Sequence, residues 1–146
     1  TGSGGTQAGL TLRAAQTGFK GQVFGINVCD NAQYFDAKVR QDINHWAQLN
    51  QQSVVSLKLN IQTLDGYVGK GYGKTQAEEI ACLSSLAKLE GIILDPVYTG
   101  KAFYGLTQEI KKGRFKAADN LVFIHTGGVF SLFAYNQVLL SADIIA

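Results

Sequence analysis

The spacing of apolar residues along the chain predicts an alternation of helices and short strands. From Ala32 to Leu49 apolar side chains recur every three or four residues, which is typical of an amphipathic helix. Residues 22–29 and 120–124 are short and rich in β-branched and aromatic side chains, which favours strands. Residues 54–61 are ambiguous between the two periods and lean towards a strand.

Start and stop signals predict four further helices. Gly18 follows the first of them, at the position just past a helix end where glycine is common. Thr75 and Glu78 have the spacing of a capping box, in which a hydroxyl and a carboxylate three residues apart cap the first turn. The four helices are predicted over residues 7–16, 75–89, 100–112 and 129–140.

Strands of nearly continuous apolar character between helices predict an α/β fold, with a parallel sheet covered by helices. Three glycine-rich segments, residues 1–6, 65–74 and 125–128, fall at predicted strand-to-helix junctions. Ligands of such sheets bind beyond the carboxyl ends of the strands. The three segments therefore surround one site if they lie at the same edge of the sheet.

Composition narrows the class of protein. The chain has 146 residues, about one domain, and its 46% hydrophobic and 16% charged residues exclude a disordered tail. The net charge of +2 is too small an excess for a nucleic-acid-binding surface, and the one basic run, residues 111–114, is typical of a solvated helix end. No run of 18 apolar residues occurs, so we expect no membrane-spanning helix.

The cysteines and histidines are too few and too far apart for a disulfide framework or a metal site. Cys29 and Cys82 are the only two cysteines, and neither His45 nor His125 has a second ligand at metal-binding spacing. We therefore expect no metal and a reducing, cytoplasmic setting.

Two of the glycine-rich segments carry candidate chemistry. Ser3, Gly4, Gly5 and Thr6 precede a predicted helix, where backbone N–H groups, hydroxyls and the helix N-terminus favour a phosphate. The alternative interpretation is a flexible or tag-derived start. Residues 65–74 are not a P-loop, because valine occupies position 68, where that motif needs glycine.

Two tyrosines lie in predicted loops next to glycine or proline segments. Tyr72 and Tyr98 can act as general acids or bases if their hydroxyls point into a cleft. The alternative interpretation is ordinary packing of the loops.

Three longer segments resemble one enzyme family. They are DGYVGKGYG at residues 65–73, LDPVYTGKA at residues 94–102 and FIHTGG at residues 123–128. Together they resemble 1-aminocyclopropane-1-carboxylate (ACC) deaminases and D-cysteine desulfhydrases, whose phosphate loop residues 5–10 also fit. The resemblance runs along the whole chain and implies a pyridoxal 5'-phosphate enzyme of the tryptophan-synthase-β-like fold, called fold type II.

The resemblance also implies roles for individual residues. Ser3, Gly4, Gly5 and Thr6 would bind the cofactor phosphate, in agreement with the anion cradle inferred above. The catalytic tyrosines would be Tyr72 and Tyr98, close to the substrate and the pyridine ring. Thr126 and Gly127 would contact the cofactor, with Thr126 near the pyridine nitrogen.

Two threonines bear on the substrate. Where Thr99 and Thr126 stand, ACC deaminases of this family typically carry Glu and Leu. A carboxylate near the pyridine nitrogen favours its protonation and a stronger electron sink, whereas a neutral hydroxyl suffices for elimination of a sulfur leaving group. The residues favour β-elimination of D-cysteine to pyruvate, ammonia and hydrogen sulfide. Deamination of ACC, a cysteate sulfo-lyase and, in another class, a non-catalytic binding fragment remain alternatives.

The lysine that carries the cofactor in this family lies in an N-terminal segment that residues 1–146 do not include. Lys70, Lys74 and Lys101 do not match its position. We therefore expect residues 1–146 to be the C-terminal part of the cofactor-binding large domain, inactive alone and with apolar surface exposed. The full-length enzyme is expected to be a homodimer that acts on a small amino-acid substrate, with no nucleic acid or membrane partner.

Overall fold

A computed structural model of the chain describes residues 1–54 and 57–136. The chain divides into two compact units, Thr1–Gly66 and Tyr67–Ala146. The described residues form helices with a small parallel sheet, which confirms the predicted α/β class. They contain no helix that is both long and apolar enough to cross a membrane.

The first unit packs two helices over a short parallel strand pair. Its elements are listed in chain order as α1 (Gly5–Thr17), β1 (Gly25–Ile26), α2 (Ala32–Leu49) and β2 (Thr63–Leu64). Gly25 pairs with Thr63, and Ile26 pairs with Leu64. The core cluster consists of Ala8, Leu12, Val39, Ile43, Ala47 and Val54. Helix α2 has the predicted bounds, because its apolar face is the one that this core buries.

A glutamine on α1 ties that helix to the sheet. The Gln7 side-chain amide donates to the Gln62 carbonyl at 3.1 Å and to the Thr63 hydroxyl at 3.0 Å. A Cβ at position 25 would lie 2.1 Å from Gln7 Oε1, so only glycine allows this close approach. The side chain therefore bonds α1 to the start of β2 and packs against Gly25 of β1.

The strands of the first unit are shorter than predicted. The strand expected over 22–29 is limited to Gly25–Ile26. The preference for a strand over 54–61 is wrong for the described part of that range, since β2 begins two residues later at Thr63. Leu57, Leu59 and Ile61 instead pack their side chains against the core cluster. Their apolar character reflects burial of side chains, not a hydrogen-bonded ladder.

The second unit contains α3 (Ala77–Glu90), α4 (Thr99–Lys111) and a 3₁₀ helix (Val129–Tyr135). The capping box lies one residue later than predicted, because Glu79, not Glu78, accepts from the Gln76 N–H at 2.9 Å. Glu79 is buried beside Lys101, which holds its carboxylate in place, whereas Glu78 is exposed.

Two further predictions for the second unit differ from the structure. Residues 120–124 form no strand in the described part of the chain, and Leu121, Val122 and Ile124 are exposed. These residues have strand-like composition, but a strand also requires a neighbour to share backbone hydrogen bonds. The helix predicted over 129–140 is a 3₁₀ helix as far as Tyr135, and positions 137–140 lie outside the described residues.

A buried carboxylate near the end of α4 anchors the start of the second unit. The Tyr67 hydroxyl and Arg114 Nε each donate to one oxygen of Glu109, and Lys112 Nζ lies 2.9 Å from Oε1. The hydrogen bond from Tyr67, supported by those from Arg114 and Lys112, lowers the pKa of Glu109 from 4.5 to about 2. The ionised form is therefore the one that the fold stabilises.

This depressed pKa predicts an acid-dependent contribution to stability. The contribution is complete above about pH 4.5 and is lost as pH falls towards about 2, because the unfolded chain then binds the proton more readily. We expect Glu109→Gln to lower the free energy of unfolding at neutral pH and to lose this effect progressively as pH falls from about 4.5 to about 2. Urea unfolding at several pH values measures the difference, with the exposed Glu90→Gln as control. A difference that is constant with pH would contradict the assignment.

Candidate active site

The glycine-rich loop of residues 1–6 runs from the edge of the sheet into α1. The Thr1 carbonyl accepts from the Val28 N–H at 3.0 Å, and the Thr1 nitrogen donates to the Ile26 carbonyl. This pair of bonds is the pattern of parallel pairing, so Thr1 lies beside β1 as a neighbouring strand would. The loop therefore leaves the sheet where β1 ends, which is where ligands of parallel sheets bind.

Gly4 forms the turn that starts α1. It is the N-cap residue with φ of 88°, a conformation that L side chains rarely adopt. Ser3, Gly5 and Thr6 are exposed around it, and the first turn of α1 has no acidic residue. Among the described residues, no side chain caps this helix start. Its backbone N–H groups are therefore available to an anion.

The start of α2, the other helix of the first unit, is capped by side chains of this chain. Asn31 accepts from the Tyr34 N–H at 2.9 Å, and Asp65 Oδ2 accepts from the Ala32 N–H at 2.9 Å. The bond from Ala32, together with those from Gly66 and Asn27, lowers the pKa of Asp65 and keeps it ionised. A carboxylate of this chain thus occupies the start of α2. The start of α1, with its glycines and hydroxyls, fits the phosphate of the cofactor that the sequence predicts.

In the second unit the structure brings together the two tyrosines that the sequence singled out. Tyr72 lies on the loop of residues 67–74, and Tyr98 is the N-cap residue of α4, 26 positions later. Their hydroxyls share a hydrogen bond, and their ring centroids are 5.9 Å apart. Both side chains remain partly exposed, at 55% and 39%. Two adjacent hydroxyls of this kind can pass a proton between them and to a bound molecule.

Asp95 fixes the backbone that carries Tyr98. It is fully buried, and its carboxylate accepts from the N–H groups of Val97, Tyr98 and Thr99 at 2.7–2.9 Å. Sequence reasoning missed this residue, although an acidic side chain just before a helix is a recognisable cap signal. A carboxylate with three N–H donors holds the turn in one conformation and so sets the position of the Tyr98 ring.

Thr99 also contacts Asp95. Its hydroxyl donates to Asp95 Oδ1 at 2.6 Å and accepts from the Asp95 N–H at 3.1 Å. The side chain is buried, with 3% exposed. Its role in substrate choice stays a prediction, and its hydroxyl is already used within the turn.

The segment with Thr126 and Gly127 packs beside the same carboxylate. Thr126 is exposed, and a Cβ at the next residue but one, Gly128, would lie 2.6 Å from Asp95 Oδ1. His125 braces the segment, because its Nδ1 accepts from the Gly127 N–H at 3.1 Å and its Nε2 lies 3.0 Å from the Ile93 carbonyl. The first bond leaves Nε2 as the protonated nitrogen, which donates to Ile93. Sequence analysis considered His125 only as a metal ligand, whereas its exposed side chain hydrogen-bonds two backbone groups.

The predicted site residues thus fall into two groups. Ser3, Gly4, Gly5 and Thr6 belong to the first unit, and the tyrosines and threonines belong to the second. The expectation that all three glycine-rich segments surround one site stays a prediction.

The contact between Gly128 and Asp95 predicts a difference between two neighbouring glycines. Gly127 and Gly128 have φ of 102° and 90°, so alanine at either position costs about 1–3 kcal/mol of backbone strain. Gly128→Ala should be clearly the more destabilising, because only its Cβ meets Asp95. Thermal unfolding of the two variants, prepared without added cofactor, measures the difference. Equal losses of stability in the two variants would show that the Asp95 side chain moves aside without an energetic penalty.

Comparison with known proteins places the chain in a family. Residues 1–127 match the family described as "Pyridoxal-phosphate dependent enzyme". A "Putative 1-aminocyclopropane-1-carboxylate deaminase" of Thermotoga maritima is 38% identical over 142 residues, 94% of this chain and 42% of that protein. A D-cysteine desulfhydrase of Klebsiella pneumoniae is 39% identical over 143 residues, 95% of this chain and 42% of that protein.

A solved structure agrees with these matches. The crystal structure of an "ACC deaminase homologue" superimposes with a TM-score of 0.84 at 37% identity, over 97% of this chain and 42% of that one. The chain therefore spans less than half the length of the relatives it matches. These similarities confirm the resemblance that the sequence motifs indicated, and the chain belongs to the family of pyridoxal-phosphate dependent enzymes.

Proposed function

We propose that this chain is the C-terminal, cofactor-binding part of a lyase that converts D-cysteine and water to pyruvate, ammonia and hydrogen sulfide. The observation that carries the proposal is the hydrogen-bonded pair Tyr72–Tyr98, set by the buried Asp95, in a member of this family. The names of several relatives support the same substrate.

The first unit would bind the phosphate of the cofactor. Ser3 and Thr6 would donate their hydroxyls, and Gly4 and Gly5 would allow the backbone N–H groups at the start of α1 to approach it. Pyridoxal phosphate, when bound, supplies an electron sink for the negative charge that develops on the α-carbon of an amino acid. Thr126 and Gly127 would lie by the pyridine ring, and neither Thr99 nor Thr126 would supply the carboxylate that makes this sink stronger.

The tyrosine pair would manage protons at the substrate. A hydroxyl of Tyr72 or Tyr98 can hold a proton near the sulfur that leaves or near the substrate carboxylate, and the second hydroxyl stabilises the first by hydrogen bonding. The base that removes the α-proton would be the family's lysine, from a part of the protein outside residues 1–146. Lys101 does not serve, since its ammonium group is buried against the carbonyls of Val68 and Gly71.

The second candidate function is deamination of ACC. It is favoured by the names of the Thermotoga maritima relative and of the solved structure. Thr126 weighs against it, because a hydroxyl side chain stands where leucine is typical of those deaminases.

We also propose that the native protein is a cytoplasmic homodimer. Both cysteines are free, which suits a reducing compartment. Val122 and Phe130 are more than four-fifths exposed in this chain, which spans less than half of its relatives' length, and the rest of the protein or a second copy would cover them.

The phosphate cradle predicts a loss of cofactor affinity in Thr6→Val. Removal of one hydroxyl donor should weaken pyridoxal phosphate binding about 10- to 100-fold, the effect of one hydrogen bond to a charged group. Equilibrium dialysis of the native gene product, followed by cofactor absorbance, measures the change. Thr17→Val, at the other end of α1, removes a hydroxyl that bonds only to α1 carbonyls and is the matched control. If both variants bind pyridoxal phosphate with equal affinity, the assignment of Thr6 to the phosphate cradle is wrong.

The substrate is tested by measuring the turnover of D-cysteine and of ACC side by side. The native gene product with pyridoxal phosphate should release sulfide and pyruvate from D-cysteine and should turn over ACC poorly. Thr126→Leu should reduce the ratio of D-cysteine to ACC turnover about 2- to 10-fold, the effect of one neutral hydrogen bond. Thr17→Leu is the control.

Each other outcome has a definite meaning. Turnover of ACC alone would be consistent with the family and would contradict D-cysteine as the substrate. Turnover of neither amino acid, with no bound cofactor, would favour a non-catalytic binding fragment.

A further inference from the structure

Lys101 is a buried cation that the proposed reaction does not use. It lies in the first turn of α4, and its side chain is fully buried. Burial of an ammonium group is costly unless charged and polar partners surround it. Burial accordingly lowers the pKa of Lys101, while the carboxylate of Glu79 raises it in part.

The partners of Lys101 come from the tyrosine loop (residues 67–74) and from α3. Its Nζ donates to the carbonyls of Val68 at 2.5 Å and Gly71 at 3.0 Å. Glu79 Oε1, which is also buried, lies 4.0 Å from Nζ as the nearby opposite charge. Glu79 in turn caps α3 through the Gln76 N–H. The ammonium group therefore joins the loop to the beginnings of two helices.

The tyrosine loop is tied at its two ends, where the Tyr67 hydroxyl donates to Glu109 and the Gly73 carbonyl accepts from the Tyr135 hydroxyl. Its middle has fewer contacts. Gly69, Gly71 and Gly73 all have positive φ, and glycines lose the most conformational freedom on folding. Its two internal backbone bonds run from the Gly71 N–H to Val68 and from the Lys74 N–H to Gly71. The acceptors of those bonds are the same two carbonyls that Lys101 contacts. One cation thus reinforces both turns of the loop.

The loop positions Tyr72, the residue directly after Gly71. Its hydroxyl bonds to Tyr98, which lies three residues before Lys101 at the start of the same helix. We propose that Lys101 is a positioning residue that anchors the tyrosine loop to α4 and so holds the Tyr72 hydroxyl against that of Tyr98. Its catalytic consequence rests on the proposed function, whereas the anchoring itself does not.

The test uses the native gene product with pyridoxal phosphate bound and the double variant Lys101→Met/Glu79→Gln. Lys101→Met alone would leave Glu79 buried without its cation and risk unfolding. The second change removes that charge and keeps an oxygen to cap α3. Lys88→Met/Glu90→Gln makes the same two changes at exposed positions of α3 and is the matched control.

Hydrogen exchange tests the anchor without reference to activity. The amides of Gly71 and Lys74, which make the loop's two backbone bonds, should exchange about 10-fold faster or more in the double variant than in the control, whereas those in the middle of α3 should not change. Unchanged exchange in the loop would overturn the proposal.

Kinetics tests whether the anchor acts through Tyr72. We expect the double variant to lower kcat about 10- to 100-fold, the cost of displacing a reacting group by about 1 Å, with a smaller change in KM. Tyr72→Phe should lower kcat in the parent protein but add little in the double variant. Fully multiplicative losses would overturn the role through Tyr72. If the parent protein turns over neither D-cysteine nor ACC, the proposed function is wrong, and loop exchange alone decides the role of Lys101.

Discussion

The buried carboxylate of Asp95 is the constraint on which the second unit depends. A carboxylate without exposure must be matched by donors, and here three consecutive backbone N–H groups and the Thr99 hydroxyl supply them. Because those donors belong to the two residues before α4 and to its first residue, the carboxylate helps to fix where the helix begins. The same carboxylate leaves no space for a side chain at Gly128. One buried charge thus arranges both the Tyr98 turn and the glycine segment.

The same principle operates at two other places in the second unit. Lys101 and Glu79 are buried together, and Glu109 is surrounded by Tyr67, Lys112 and Arg114. Each pair or cluster joins a loop to a helix, so loops with little apolar content acquire a defined position through charge. Polar groups buried in this way specify a conformation more strongly than they stabilise it, because each unmatched alternative leaves a charge without a partner.

In the first unit, hydrogen bonding to backbone N–H groups distinguishes the starts of the two helices. Two helices begin at the edge of its sheet, and each start exposes backbone N–H groups. Asn31 and Asp65 satisfy those of α2, whereas α1 begins in glycines and hydroxyls without an acidic side chain. The start of α2 is a structural cap, whereas the start of α1 is the one for which we propose a phosphate cradle. This contrast is consistent with membership of a family whose cofactor carries a phosphate.

The amino-acid sequence by itself determined the fold class, the bounds of α2 and the family. It also identified Tyr72 and Tyr98 as a pair of candidate residues. Those features depend on local periodicity or on long contiguous motifs, which a single chain displays directly. Only the tertiary structure decided that β1 and β2 are two residues long, that residues 57–61 and 120–124 are not strands, and that Glu79 replaces Glu78 in the cap. It also showed which backbone groups of the second unit Asp95, Lys101 and His125 contact. The physical reason is that strand pairing and the burial of a charge depend on partners distant in sequence. The local spacing of residues does not identify those partners.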